Sequence, residues 1–372
     1  MKDTILFGDC KETLSAFLPQ SARTCVTSPP YYGLRDYGTA TWIGGDPNCK
    51  HRKVGKQGSN CITGHKNHDD MGSVGDYIFK SVCPLCGAVR QDSQIGLEES
   101  PEEYVESLVS VFREVRNILT DDGTLWVNLG DSYYNYRPGK GQSLVKQSVS
   151  KTKQDLPDTC SRRANKLDGL KEKDLIGIPW LFAFAMRKDG WYLRQDIIWH
   201  KPNPMPESVK DRCTKSHEYI FLFSKNRKYF YDNEAIKEPA KDWGTRDRTK
   251  GKYHNTGTGL QPHSGLTKSY ERKNKRSVWS VSVKPYKEAH FATYPPDLIE
   301  PCIKAGSEEG DTILDPFMGA GTTAAVAKSL NRYYIGCELN EDYGNLIQKR
   351  IQDYQPVKKV AQEPTINILD II

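Results

Sequence analysis

The chain opens on short apolar runs set between polar turns: "TILFGD", "KETLSAFLP" and "ARTCVTSPPYYG" follow one another. A compact apolar run, then helical spacing, then a second compact run predicts strand, helix, strand. Pro29-Pro30 ends the second strand, because neither proline has an N–H for the ladder. From about Thr39 to Arg90 the periodicity lapses into a polar, Gly-rich insertion carrying cysteines and histidines. It resumes in "SPEEYVESLVSVFREVRNILTDDGTLWVNLGDS". There Ser100 is placed to cap a helix, Pro101 suits its first turn and Glu103 completes a capping box. Leu108, Val111, Phe112, Val115 and Leu119 fall at the spacing of one buried helical face. "DDG" then turns the chain into the strand "TLWVNLG". The result is a β-α-β unit, whose connections call for a largely parallel sheet.

Farther along, "IPWLFAFAMRKDGWYLRQDIIWHK" predicts a helix stopped at Gly190 and a strand through Ile197 to Trp199. "SHEYIFLFSKNRKYFYD" predicts a strand with a hairpin return near Asn226-Arg227. A stretch rich in Gly, Thr, Lys and His shows little periodicity and reads as a long loop or a small module. Order returns from Val278, where "HFATYPPDLIEPCIKAGSEEGDTILDPFMGAGTTAAVAKSLNRYYIGCELNEDYGNLIQKRI" reads as helix, strand, Gly-rich turn, helix, strand, helix. The segment from Gln355 is peripheral, and no internal repeat is present.

With 372 residues, 37% hydrophobic and 27% charged, the chain can bury at least one α/β core and still carry appended segments. It has no apolar run of ~18 residues, and Asp9 and Lys11 fall where a secretory leader needs continuous apolar residues. The expectation is a soluble, cytoplasmic protein with no membrane partner. Ten cysteines are too sparse for a disulfide scaffold and read as core fillers or metal ligands. The net charge of +6 is unevenly spread. Between Tyr134 and Lys173 ten Lys and Arg face four acids, and between Lys241 and Arg276 ten face three, so the rest of the chain is acidic. Concentrated basic charge is what nucleic-acid binding requires, although a solvated loop has the same composition.

Two motifs carry chemistry. The run "DTILD" leads directly into "PFMGAGTTAAVAKSL", which puts Gly319 and Gly321 where a parallel strand hands over to a helix N-terminus and a ligand can approach the backbone. Asp315 at the strand end would repel phosphate but suits the ammonium group of a methionine moiety, and no P-loop lysine follows. Glu338 closes the next strand about 20 residues beyond the glycines, where a carboxylate can take both hydroxyls of a ribose. Alone, this pair fits any adenosine cofactor. The second motif is Ser28-Pro29-Pro30-Tyr31. An exocyclic amino group is a poor nucleophile because its lone pair is delocalised into the base. Fixed acceptors for its N–H groups localise that pair. The Ser28 hydroxyl and a main-chain carbonyl held by two prolines can be those acceptors, and Tyr31 offers a face for an extruded base. Alone, the tetrapeptide also reads as a turn followed by an aromatic.

Together, "TSPPYYG" early and "HFATYPPDLIEPC", "DTILDPFMGAGTT" and "GCELN" late resemble the DNA amino-methyltransferases in their β-type order, with the tetrapeptide ahead of the cofactor loop. "LFGDCKETL", "GTLWVNLGDS", "QDIIWHKPNP" and "EYIFLFSK" extend the resemblance in scattered blocks. It implies a seven-stranded, doubly wound, mostly parallel Rossmann-like sheet with S-adenosylmethionine as cofactor. Ser28, Pro29, Pro30 and Tyr31 match the catalytic tetrapeptide. Asp315, Phe317, Gly319 and Gly321, with Thr322, match the methionine-binding turn; Glu338 matches the ribose acid and Asp9 an acid near the adenine. Residues 290–295 resemble the segment that closes over the cofactor. Members with Ser at the first position mostly act on cytosine N4, and those with Asp or Asn on adenine N6. C5 chemistry is excluded: it needs a nucleophilic Cys, and Pro301-Cys302 falls in the wrong order.

The expected organisation is a catalytic half in 1–38 and 91–200, an insertion in 39–90, a target-recognition region in 202–276, a cofactor-binding half in 277–354 and a tail in 355–372. The insertion carries Cys49, His51 and the knuckle Cys83-Pro84-Leu85-Cys86, a zinc-ribbon-like pattern for one structural Zn²⁺, with Cys61, His65 and His68 as substitutes. Lys241, Arg246, Arg248, Lys250 and Lys252 are candidate phosphate contacts. The leading reading is a site-specific methyltransferase acting on cytosine N4 of double-stranded DNA, in restriction-modification alongside a cognate endonuclease or in phage or bacterial DNA modification. The alternatives are adenine N6, an RNA or protein acceptor, and an inactive zinc-containing DNA-binding protein.

Overall fold

The computed structural model describes residues 2–33, 39–53, 77–78, 82–134, 167, 169–240, 271–284 and 293–355. One central sheet has eight strands. In chain order they are β1 (Thr4–Phe7), β2 (Ala22–Thr27), β3 (Leu119–Leu129), β4 (Tyr192–His200), β5 (His217–Ser224), β6 (Val278–Ser280), β7 (Thr312–Asp315) and β8 (Tyr333–Glu338). They lie in the spatial order β1-β8-β7-β2-β3-β5-β4-β6. β5 is antiparallel to both neighbours, and every other pairing is parallel. The helices are α1 (Cys10–Thr13), α2 (Pro101–Ile118), α3 (Ile178–Lys188), α4 (Pro296–Gly306), α5 (Thr322–Ser329) and α6 (Gly344–Asp353).

Both faces of the sheet are covered. One core joins Leu108, Phe112 and Val115 of α2 to Phe182 and Met186 of α3. The other joins Leu298 and Ile303 of α4 to Val326 of α5 and Ile347 of α6. Side chains alternate across a strand, so Phe221 and Phe223 of β5 enter the first core while Ile220 and Leu222 enter the second. A strand buried on both faces reads as a continuous apolar run, which accounts for "YIFLF". α2 follows its caps: the Ser100 hydroxyl accepts from the Glu103 N–H at 3.2 Å, and the Glu103 carboxylate reaches back to the Glu99 N–H, one residue beyond the usual capping box.

The structure corrects the sequence reading in four places. The sheet has eight strands, because Val278–Ser280 adds an edge strand parallel to β4, anchored by buried Trp279. "DDG" is no turn: Leu119–Leu129 is one strand, and the irregularity is absorbed by a register shift opposite Ala22 and Thr24. Among the described residues no strand pairs back on β5 after Asn226; its side-chain amide donates to the Asp121 carbonyl, and the Phe230 N–H to the Asp122 carbonyl. Finally, His217–Ser224, inside the 202–276 segment assigned to target recognition, is an interior strand of the sheet.

Strand direction creates the site. The carboxyl ends of β1, β2, β3, β4, β7 and β8 and the start of antiparallel β5 lie along the same edge of the sheet, the edge at which α/β folds bind ligands. A separate antiparallel pair, Thr41–Ile43 with Val89–Gln91, builds an arm between β2 and α2. Among the described residues no helix is long and apolar enough to cross a membrane.

Candidate active site

A cavity of about 750 Å³ opens at that edge. Asp9, Ser28, Pro29, Pro30, Tyr31, Phe317, Gly319, Thr322 and Glu338 all line it, so residues more than three hundred positions apart in sequence share one space.

The cofactor side is set by β7, β8 and the turn between β7 and α5. The Glu338 carboxylate accepts from the Gly319 N–H at 2.7 Å and the Asn340 N–H at 2.9 Å. Burial nevertheless pushes its pKa up to about 7, against the lowering effect of those backbone donors. A buried carboxylate facing a cavity is poised for uncharged hydroxyl donors. Asp9 caps α1, taking the Lys11 N–H at 2.9 Å, and sits beside β8 because the Gly8 N–H donates to the Glu338 carbonyl.

Asp315 and Gly321 stand directly behind the cavity lining, beside Pro316 and between Ala320 and Thr322. The Asp315 carboxylate is buried and accepts from the Thr27 hydroxyl at 2.6 Å, the Phe317 N–H at 3.0 Å, the Thr323 hydroxyl at 2.5 Å and the Tyr294 hydroxyl at 3.2 Å. Burial raises its pKa despite these donors. It ties β2, β7, α5 and the 293–295 segment into one corner. Gly321 precedes α5 with φ +79°, and a Cβ there would stand 2.8 Å from Ile347. It sets the turn between β7 and α5.

The tetrapeptide forms the opposite wall. The Tyr104 hydroxyl of α2 donates to the Pro30 carbonyl at 2.7 Å. The Tyr31 hydroxyl donates to the Glu218 carboxylate at 2.7 Å and lies 3.2 Å from the Asn128 side-chain oxygen, while Lys201 pairs with the other Glu218 oxygen. The Ser28 side chain lies near enough to the same phenol to lower its pKa, against the larger raising effects. Burial first, then the Glu218 charge, lifts the Tyr31 pKa well above its ordinary value, so the phenol stays neutral. Sequence reading missed Glu218, Lys201, Asn128 and Tyr104. The one available signal was Asn128, a polar residue inside the apolar strand "TLWVNL".

Lys201, Arg212, Lys215 and His217 add positive and polar groups to the cavity lining. Burial lowers the Lys215 pKa, and its ammonium donates to the Asp131 carbonyl at 2.7 Å. Burial and neighbouring Lys215 lower that of His217. Lys241, Arg246, Arg248, Lys250 and Lys252 lie outside the described residues, as do Cys61, His65, His68, His254 and positions 290–292. Away from the cavity, the arm gathers Cys49, His51, Cys83 and Cys86, with every ligand atom within 4.8 Å of the others.

A buried acid, a glycine turn at a helix start and a Ser-Pro-Pro-Tyr wall meet in this one cavity, the arrangement that the resemblance to S-adenosylmethionine-dependent DNA methyltransferases implies. Residues 22–349 match the N6/N4 DNA methylase family, and the chain belongs to it. It is similar to the Type II methyltransferase M.XycI of Xanthomonas campestris pv. cyanopsidis, 39% identical over 349 residues, covering 94% of this chain and 87% of that one. It is equally similar to the Type II methyltransferase M.SmaI of Serratia marcescens, 39% identical over 352 residues, with 93% and 90% covered. Among solved structures the PvuII DNA methyltransferase (cytosine-N4-specific) aligns with TM-score 0.54 at 16% identity, covering 95% of this chain and 88% of that one, a likeness of fold.

Proposed function

We propose that the enzyme methylates the N4 amino group of cytosine within a short duplex sequence, as the modification half of a restriction-modification pair with a cognate endonuclease. The observation that carries the choice of base is Ser28 at the head of the tetrapeptide, facing the cavity. A serine hydroxyl carries two oxygen lone pairs that can accept an incoming N–H. The Pro30 carbonyl is occupied by Tyr104, which leaves the Pro29 carbonyl as the second acceptor. An extruded cytosine lies against the Tyr31 ring, its amino group held by Ser28 and Pro29 so that the nitrogen lone pair points toward the cofactor side.

The donor fits the residues present. Glu338 takes the ribose hydroxyls, Asp9 lies near the adenine, and the Phe317–Thr322 turn, braced by Asp315 and Gly321, holds the methionine part. When bound, S-adenosylmethionine supplies an electrophilic methyl group. Transfer leaves the amino nitrogen with a surplus proton, which passes to water or to Ser28. The basic segment 241–276 and the cavity-rim cations serve as phosphate contacts.

Expression in a host free of DNA methylation, followed by digestion of its DNA to nucleosides and mass spectrometry, tests the reading. N4-methylcytosine is expected. N6-methyladenine would overturn the assignment to cytosine, and neither product from soluble, cofactor-binding protein would move the substrate to RNA or protein.

A further inference from the structure

We infer that the arm between β2 and α2 holds one structural zinc ion on Cys49, His51, Cys83 and Cys86, and that this ion sets the wall of the base-binding side of the cavity. The distances suit the metal. Zinc takes thiolate sulfur at about 2.3 Å and imidazole nitrogen at about 2.0–2.1 Å. Two sulfurs on a common tetrahedral centre therefore stand about 3.8 Å apart, and a sulfur and a nitrogen about 3.6 Å. The Cys49 and Cys83 sulfurs are 3.7 Å apart, and the Cys86 sulfur is 3.5 Å from His51 Nδ1. A disulfide needs about 2.05 Å, so the pair is no cystine.

The surroundings are built for such a site. Cys83, Gly87 and Ala88 form a knuckle: the Gly87 N–H donates to the Cys83 carbonyl and the Cys83 N–H to the Ala88 carbonyl, both at 2.8 Å. The His51 backbone N–H donates to the Cys49 sulfur at 3.5 Å. This is an outer hydrogen bond of the kind that holds a ligating thiolate in place. The His51 ring stacks on Trp42, with centroids 4.3 Å apart and planes 15° apart, which fixes its orientation. Four protein ligands leave no coordination position open, so the ion is structural.

The arm leads directly to the tetrapeptide. Thr41–Ile43 pairs with Val89–Gln91, and the adjoining Thr39, Ser93, Gln94 and Ile95 line the cavity. Gly33 donates to the Gly96 carbonyl at 2.8 Å, and Gly96 packs so closely on Tyr31 that a Cβ would stand 2.9 Å from the Tyr31 carbonyl oxygen. Losing the ion loosens the stem against which Ser28–Tyr31 is seated, while Glu338 and the glycine turn lie on other elements. Zinc therefore governs use of DNA and leaves cofactor binding intact.

The test is elemental analysis of the full chain purified without chelators, with cobalt substitution as a second readout. One zinc per chain is expected, as is a Co²⁺ derivative with the visible bands of a tetrahedral site and a thiolate-to-cobalt charge-transfer band. C83S and C86S should lose the metal, and His51→Cys should keep it. Chelated protein should show a KM for DNA raised about 10-fold or more, with the Kd for S-adenosylmethionine unchanged. Purified wild-type protein with neither zinc nor a tetrahedral cobalt spectrum would overturn the site, whether or not the serine variants fold. Metal removal that weakens cofactor and DNA equally would overturn its link to the base wall.

Discussion

Tyr31 donates its phenolic hydrogen to Glu218 at 2.7 Å, although the two are 187 residues apart. The Ser28–Tyr31 tetrapeptide is thereby anchored to the antiparallel strand β5 of the sheet. Lys201 closes the arrangement from β4's end, so the ring is fixed from two strands beyond its own loop. Tyr31→Phe should keep the stacking face and lose the anchor, lowering kcat/KM about 10-fold. Tyr31→Ala should also lose base stacking, about 1–3 kcal/mol, and fall further. Steady-state kinetics on a short duplex measures both; equal losses would mean that the hydroxyl alone matters. Because the phenol stays neutral, no tyrosine ionisation should appear in the pH profile.

Ser28→Ala removes one preorganised partner of the reacting amino group. Losing one such hydrogen bond at a reacting centre typically costs about 100-fold or more in kcat. Single-turnover rates should fall by that order while the Kd for S-adenosylmethionine is unchanged. A variant that keeps its rate would remove Ser28 from the chemistry.

Glu338 carries a cost in the free enzyme. Its pKa rises from 4.5 to about 7 through burial, so between those values the folded chain holds a proton that the unfolded chain releases. Stability is therefore fully present below 4.5 and declines as pH rises to about 7, by roughly 3 kcal/mol at most. Cofactor affinity runs the opposite way, since only the carboxylate accepts from both hydroxyls, and should weaken up to about 10-fold per pH unit below 7. Glu338→Gln should melt higher than wild type at pH 8, match it near pH 4.5 and bind cofactor poorly at every pH. Paired melts and titration calorimetry at three pH values decide this.

Gly321→Ala should strain the turn ahead of α5. At φ +79° an L residue costs about 1–2 kcal/mol, and the new Cβ would meet the Ile347 side chain at 2.8 Å and its Cα at 3.2 Å. Lower melting temperature and weaker cofactor binding are expected, with α6 displaced. An unchanged melt would show that α6 yields without cost.

The parts of the site written in adjacent residues were legible in the chain. A Pro-Pro pair ends a strand wherever it stands, and a glycine turn between a strand and a helix announces itself by spacing. α2 was legible because its stripe repeats through the eighteen residues of Pro101–Ile118. What stayed hidden depends on tertiary neighbours. Glu218 and Lys201 look like ordinary strand-end charges until β5 and β4 bring them under Tyr31. The place of Asp315 beside the turn was visible in the chain, whereas the hydroxyls of Thr27, Tyr294 and Thr323 that bond to it come from three other segments. The hairpin expected after Asn226 failed for the same reason, since its backbone found partners on the Asp121–Gly123 stretch.

The bond from Thr27 to Asp315 spans 288 residues, and β1 finds its only neighbour in β8, near the far end of the described chain. Such contacts raise the contact order and slow the search for the native state. During translation, β2 must wait with one open edge until the ribosome has delivered Thr312–Asp315, and β1 with an open edge until it has delivered Tyr333–Glu338. A chain interrupted before that point lacks the buried Glu338 carboxylate of the cavity and has no partner for β1. It is therefore both inactive and prone to associate through exposed strands. DNA methylation would consequently depend on synthesis running to completion, with no graded activity from partial products.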